Sequence, residues 1–218
     1  MSCFPENFIT LEVLNFANLT SDINFDALER LVSRCKSLRA LKLNESISLE
    51  QLQRLLVNAP QLAKLGMGSF AQELTFLQYE KLESTSSNGK NIHTLSGLWE
   101  AKGTYPPALY TSCTRLKFLN LSYIVFQSGE LAKLFAHRPQ LRRLWVLDTV
   151  EDKGLEAIGL NYPLLEELRV FPANPFDEEI ILGVTDAGFV DVSYGCLRLH
   201  YVLYFCRQMT NAVVATIV

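Results

Sequence analysis

One pattern recurs along this chain and narrows what it can fold into: a leucine, two residues, an apolar residue, one residue, and another apolar residue. It runs as Leu11-Glu-Val-Leu14-Asn-Phe16, Leu38-Arg-Ala-Leu41-Lys-Leu43 and Leu62-Ala-Lys-Leu65-Gly-Met67. It continues as Leu116-Lys-Phe-Leu119-Asn-Leu121, Leu141-Arg-Arg-Leu144-Trp-Val146, Leu165-Glu-Glu-Leu168-Arg-Val170 and Leu199-His-Tyr-Val202-Leu-Tyr204. A degraded copy, Ile92-His-Thr-Leu95-Ser-Gly97, fills the gap between Leu62 and Leu116. Successive starts lie 27, 24, 30, 24, 25, 24 and 34 residues apart. Most of these steps fall in the range of roughly 20–29 residues that marks leucine-rich repeats.

Between the copies, apolar residues return at helical spacing: Phe25, Leu28, Leu31 and Val32; Leu49, Leu52, Leu55 and Leu56; Leu131, Leu134 and Phe135. Ser48 and Asp152 stand where N-caps are expected. Each repeat therefore reads as one short strand and one helix. Neither can bury its apolar face alone, so neighbours must stack into a continuous core. The expected fold is α/β: a leucine-rich-repeat solenoid of about eight repeats with a curved parallel sheet, running through residues 1–218. Two long steps predict loops over 71–90 and 171–183, where insertions in a repeat array commonly gather on one face. The first is polar at Glu83-Ser-Thr-Ser-Ser-Asn-Gly-Lys90, and the second carries Phe176 between prolines and an acidic pair. A surface insertion without function is the plainer reading of either.

The remaining composition sets outer bounds. With 49% hydrophobic and 20% charged residues and a mean hydropathy of +0.12, the 218-residue chain is expected to fold. A net charge of −3 gives no basic footprint for nucleic acid. No apolar run approaches the roughly 18 residues of a membrane-spanning helix, and Met1–Phe8 has no signal-peptide character. The five cysteines are odd in number and widely spaced, which suits a reducing compartment better than a disulfide framework. Cys35, Cys113 and Cys196 each precede a repeat-starting leucine by three residues. They read as small buried groups before the strand. Metal or redox roles are the alternative, but the three stand in non-adjacent repeats.

Strand alternation sorts the remaining positions. One outward column would be Asn15, Lys42, Gly66, Ser96, Asn120, Trp145, Arg169 and Leu203. Its neighbour would be Ala17, Asn44, Gly68, Leu98, Ser122, Leu147, Phe171 and Phe205. Small and polar groups give way, along the chain, to aromatics beside Arg169. Exposed apolar surface of that kind marks a binding face, and a guanidinium fork suits phosphate or carboxylate. The competing reading pairs Arg169 with Glu167 and lets the aromatics cover one another. Catalysis has little support: His93, His137 and His200 are scattered, and no nucleophile elbow, P-loop or zinc-protease motif occurs.

Several stretches are more distinctive than the repeat. Val202-Leu-Tyr-Phe-Cys-Arg-Gln-Met-Thr-Asn211, Leu168-Arg-Val-Phe-Pro-Ala-Asn-Pro-Phe176, Leu144-Trp-Val-Leu-Asp148 and Leu119-Asn-Leu-Ser-Tyr123 resemble the plant auxin-receptor F-box proteins, the transport-inhibitor-response and auxin-signalling F-box family. The resemblance implies a substrate-recognition subunit of an SCF-type ubiquitin ligase, with no catalytic residues of its own. It would bind auxin and the degron of Aux/IAA repressors for degradation in the nucleus, with inositol hexakisphosphate as a structural cofactor. It implies Arg169 as an inositol-phosphate contact, and Phe176, Leu203 and Phe205 as walls of the auxin and degron site. The related jasmonate receptors are a third reading, less well matched by the stretch around Phe205 and the Phe176 loop. The F-box that would dock a Skp-type adaptor has no counterpart before Leu11, so this sequence is expected to be an internal segment that neither joins a ligase nor holds auxin or the cofactor tightly by itself. A hormone-independent repeat module or decoy is the alternative.

Overall fold

The computed structural model describes residues 8–44, 46–69, 75–86, 89–99, 115–126, 140–174 and 183–204. The chain divides into two compact units that part at Leu116 and Lys117. The first contains β1 (Val13–Asn15), α1 (Phe25–Arg34), β2 (Ala40–Lys42), α2 (Leu49–Asn58), β3 (Lys64–Ser69), α3 (Phe76–Ser86) and β4 (Thr94–Trp99). The second contains β5 (Phe118–Asn120), β6 (Arg143–Leu147), a 3-10 turn over Asp148–Val150, α4 (Glu151–Asn161), β7 (Glu167–Phe171), α5 (Asp186–Gly195) and β8 (Tyr201–Tyr204). All eight copies of the repeat, the degraded one included, become strands.

Within each unit the strands pair parallel in chain order, and the register places like on like. Leu14, Leu41, Leu65 and Leu95 align across the first unit. Leu119, Leu144, Leu168 and Val202 align across the second. Leu41, Leu65, Leu95, Leu119, Leu144 and Leu168 are all buried. At about 1.5–3 kcal/mol for each fully buried leucine, this column is a large part of what holds neighbouring repeats together.

The connections repeat as regularly as the strands. The repeat-starting residue donates its N–H to the carbonyl three positions earlier: Leu38 to Cys35, Leu62 to Ala59, Ile92 to Gly89, Leu165 to Tyr162 and Leu199 to Cys196, at 2.9–3.1 Å. Cys35 and Cys196 are the C-caps of α1 and α5 and are buried. That is the structural place expected for them. Cys113 lies outside the described residues, as do Leu131, Leu134 and Phe135.

Three expectations need correction. The stretch 71–90, read as a loop, carries α3. Thr75 and Gln78 form its start: the Gln78 side chain accepts from Thr75 N–H at 2.9 Å, and Gln78 N–H donates to Thr75 Oγ1 at 3.3 Å. These reciprocal bonds satisfy two otherwise unpaired N–H groups, so a helix begins although the tail of the segment is polar. Asp152 does not cap its own helix, which starts at Glu151 without a side-chain cap. Its carboxylate reaches the next repeat, accepting from Thr185 N–H (2.7 Å), Thr185 Oγ1 (2.6 Å) and Gly188 N–H (3.2 Å) at the start of α5. A carboxylate is favoured there by the unpaired N–H groups and the helix dipole. Ser48, in contrast, caps α2 as expected, in a box with Gln51.

The outward columns are only partly outward. Asn44, Leu98, Asn120 and Leu147 are buried. The Asn44 amide donates to Leu19 and Ser21 carbonyls and accepts from Ser46, and Asn120 likewise accepts from Ser122 N–H and Oγ. These asparagines turn the chain as it leaves the strand. At Leu98 the alternation breaks because Gly97 (φ 88°) and Leu98 (φ 63°) are both left-handed. Gly97 stands in register with Met67, a Cβ there would fall 1.7 Å from the Met67 carbonyl oxygen, and Leu98 is fully buried.

Helices α4 and α5 approach closely through glycine. A Cβ on Gly195 would fall 2.0 Å from the Gly159 carbonyl oxygen, and one on Gly159 would fall 2.5 Å from the Asp191 carbonyl oxygen. Backbone cannot yield there as a flexible side chain could. Alanine is the better helix former by about 1 kcal/mol, yet Gly195→Ala is expected to destabilise the protein by roughly 1–3 kcal/mol through overpacking. Gly183→Ala, whose Cβ would meet nothing nearer than 3.8 Å, serves as the control. Urea unfolding would test this, and equal midpoints for the two variants would refute the packing account.

Candidate functional site

The second unit presents a regular grid of side chains on one side of its strands, outward apart from the buried Asn120 and Leu147. Register sets Phe118, Arg143, Glu167 and Tyr201 in one row. Asn120, Trp145, Arg169 and Leu203 form the next, and Leu147 and Phe171 the third. Alternation along β6, β7 and β8 sends every second residue to this face.

The centre of the grid is an aromatic and ionic cluster. The Arg169 guanidinium lies 4.4 Å from the Trp145 ring centroid and 5.0 Å from that of Tyr201. Trp145 meets Phe118 edge-on at 5.1 Å and Phe171 at 6.0 Å. Arg143 stacks over Phe118 at 4.9 Å. One carboxylate oxygen, Glu167 Oε1, accepts from both Arg169 Nε (2.6 Å) and Trp145 Nε1 (2.9 Å). Rings on each side of a guanidinium gain both cation–π attraction and apolar cover. The Arg169 side chain is 29% exposed and that of Glu167 17%, so neither ion is lost to bulk water or sealed from it.

Of the four residues singled out by sequence, Arg169 and Leu203 stand side by side in register on β7 and β8. Phe176 and Phe205 lie outside the described residues. The structure does pair Arg169 with Glu167 and packs the aromatics on one another. Sequence reasoning overlooked Phe118 and Tyr201 as members of the face. The signal was present, since both stand two positions before face residues on their strands.

Both described ends of the segment holding Phe176 are fastened. Ala173 N–H donates to Asp148 Oδ1 at 3.0 Å. Ten residues on, a Cβ added to Gly183 would stand 3.8 Å from Asp148 Oδ2. The Tyr204 hydroxyl donates to the Val184 carbonyl at 2.8 Å, and the Tyr204 ring packs on Phe189 at 5.0 Å. Tyr204 follows Leu203 directly, so the strand carrying the candidate site also holds the returning end of the segment.

The first unit offers a different face. Asn15, Lys42, Gly66 and Ser96 share one row, and the Lys42 side chain lies over Gly66, where an added Cβ would meet its Cγ at 2.9 Å. Small, polar and basic groups replace the aromatics of the second unit.

Burial pushes the Cys196 thiol up from 9.0 to about 11. At pH 8 its thiolate is then about a hundredfold scarcer than that of an ordinary exposed cysteine, and the thiolate is the reactive form. Iodoacetamide at pH 8 is expected to leave the Cys196 peptide unmodified in the folded protein and to alkylate it fully in urea. Rapid native alkylation, read by mass spectrometry, would contradict its place as a buried cap.

No family model matches the chain. Over 217 residues, covering all of this chain, it is 46% identical to GRR1-like protein 1 of Arabidopsis thaliana and 44% identical to a transport inhibitor response 1-like protein of Oryza sativa subsp. japonica. It spans 37% and 36% of those proteins, a little over a third of their length. Identity to coronatine-insensitive protein homolog 1a of Oryza sativa subsp. indica is 27%, over 97% of this chain and 35% of that one. Among solved structures, a chain of the yeast Rad7 and Elc1 complex superposes with a TM-score of 0.65 at 17% identity, covering 89% of this chain and 51% of its own. That likeness carries the fold alone.

Proposed function

Given a chain homologous over its whole length to the transport-inhibitor-response-like F-box proteins of plants, we propose that it is the hormone-binding segment of an SCF-type ubiquitin-ligase substrate receptor. In this reading auxin and the degron of an Aux/IAA repressor meet on the outward face of β7 and β8. Leu203, Phe205 and Phe176 wall the hormone and degron site, and Arg169 contacts inositol hexakisphosphate. The complete receptor recruits a Skp-type adaptor and acts in the nucleus. The protein supplies recognition only, the transfer chemistry belonging to partner subunits. The auxin branch is favoured over the jasmonate branch by the identities of 46% and 44% against 27%.

The observation that carries this reading is the adjacency of Arg169 and Leu203 in register, with Trp145 and Phe171 beside them. Apolar and aromatic groups suit an indole ring, and a guanidinium suits an anion. A hormone-independent interaction module remains the second reading. It is favoured by the Glu167 pair and the self-packed rings, which leave the face complete without a ligand.

Retention of an Aux/IAA degron peptide by the full-length protein that contains this segment, with and without auxin, separates the two. Auxin is expected to raise retention at least tenfold. Leu203→Ala and Phe205→Ala are each expected to weaken the auxin-dependent part about tenfold, or about 1.4 kcal/mol. Retention that ignores auxin would leave the interaction module standing in its place.

A further inference from the structure

Arg169 is held in an unusual way for a residue proposed to bind an anion. Its Nε is committed to Glu167 Oε1 at 2.6 Å, and its plane is flanked by Trp145 and Tyr201. Among the described residues its two terminal nitrogens make no hydrogen bond. The same Glu167 oxygen also holds the Trp145 indole at 2.9 Å. One acceptor therefore fixes both the cation and the ring beneath it.

We propose that Glu167 is the positioning residue of this anion site: it locks the Arg169 guanidinium through Nε and Trp145 so that the terminal nitrogens form a preset fork for a phosphate ester. The inference rests on the reading of Arg169 as a polyphosphate contact and adds a residue and a mechanism to it. An arginine side chain has many rotamers, and immobilising them on binding weakens affinity. Here Glu167 and the two rings have immobilised the group before the ligand arrives. An acid beside an anion site is costly in charge, since it repels the ligand it helps to bind. The arrangement is useful only if what Glu167 supplies is geometry, and geometry and charge can be separated. Glutamine keeps an oxygen that can accept from both Nε and the indole, and removes the negative charge. Alanine removes both.

The test is inositol hexakisphosphate binding by calorimetry, using the full-length protein and its Glu167→Gln, Glu167→Ala and Arg169→Lys variants. Glu167→Gln is expected to bind as tightly as the parent or up to severalfold more tightly. Glu167→Ala is expected to bind five- to tenfold more weakly. Arg169→Lys keeps the charge but has no planar fork, and is expected to bind at least tenfold more weakly. A second readout needs no ligand. The Trp145 contribution to emission in the free protein, taken as the difference between each protein and its own Trp145→Phe counterpart, should shift in Glu167→Ala and hold in Glu167→Gln.

Equal binding by the parent and Glu167→Ala would overturn the proposal, as would Glu167→Gln falling as far as Glu167→Ala. Lysine binding as well as arginine would overturn the fork. Should Glu167→Ala fail to fold, Glu167→Met, of similar length but without the accepting oxygen, takes its place with the same expected loss, and parent-like binding by it would equally overturn the proposal. A parent that binds no polyphosphate, with Trp145 emission still following Glu167, would sink the functional reading and leave Glu167 a structural clamp. Binding intact but indifferent to Glu167 would sink this inference alone.

Discussion

A short parallel strand with one leucine-rich edge is not stable by itself, and this constraint organises everything else in the molecule. Three to six residues of strand cannot bury enough apolar area to offset the entropy of ordering them. The leucines solve this only collectively, by aligning Leu41 on Leu65 and Leu144 on Leu168 so that each repeat provides part of its neighbour's core. Register then becomes very tightly specified, since a slip of one residue would turn every leucine to the other face. The outward rows inherit that precision. Arg169 stands beside Trp145 and Leu203 because Leu168 stands beside Leu144 and Val202.

The same constraint explains what the sequence reveals and what it conceals. Repeat positions are legible because a stacked core demands one residue type at one spacing. Even the damaged copy at Ile92 holds register, with Gly97 and the buried Leu98 both in left-handed backbone. Features outside the stacked core follow weaker and more local rules. The start of α3 depends on two hydrogen bonds between Thr75 and Gln78, a signal easily hidden by the polar residues that follow. Asp152 carries a cap signature, but its carboxylate serves a helix more than thirty residues on. No pattern within one repeat contains that information, because the geometry arises only when two repeats are stacked.

The candidate site lies between these extremes. Its columns follow from parity, so Trp145, Arg169, Phe171 and Leu203 are foreseeable as neighbours. Their partnerships are not. Parity allows Glu167 to face Arg169, but it does not say that a single oxygen will also hold Trp145, or that Tyr201 will flank the cation. Such choices belong to side-chain rotamers and mutual packing. Asn120 and Asn44 mark the converse failure. Parity sends them outward, and hydrogen bonding to the turn brings them in.

Function on a repeat scaffold must come from what the core leaves free, and here two kinds of freedom meet. One is the outward rows, small and basic in the first unit and aromatic in the second. The other is the long step after β7. Its described ends are fastened by Asp148, from the repeat before, and by Tyr204, from the strand after. Tyr204 cannot move without β8, and β8 carries Leu203. Val184 and Leu203 are thereby tied, and a change at either would be felt by the other through one strand.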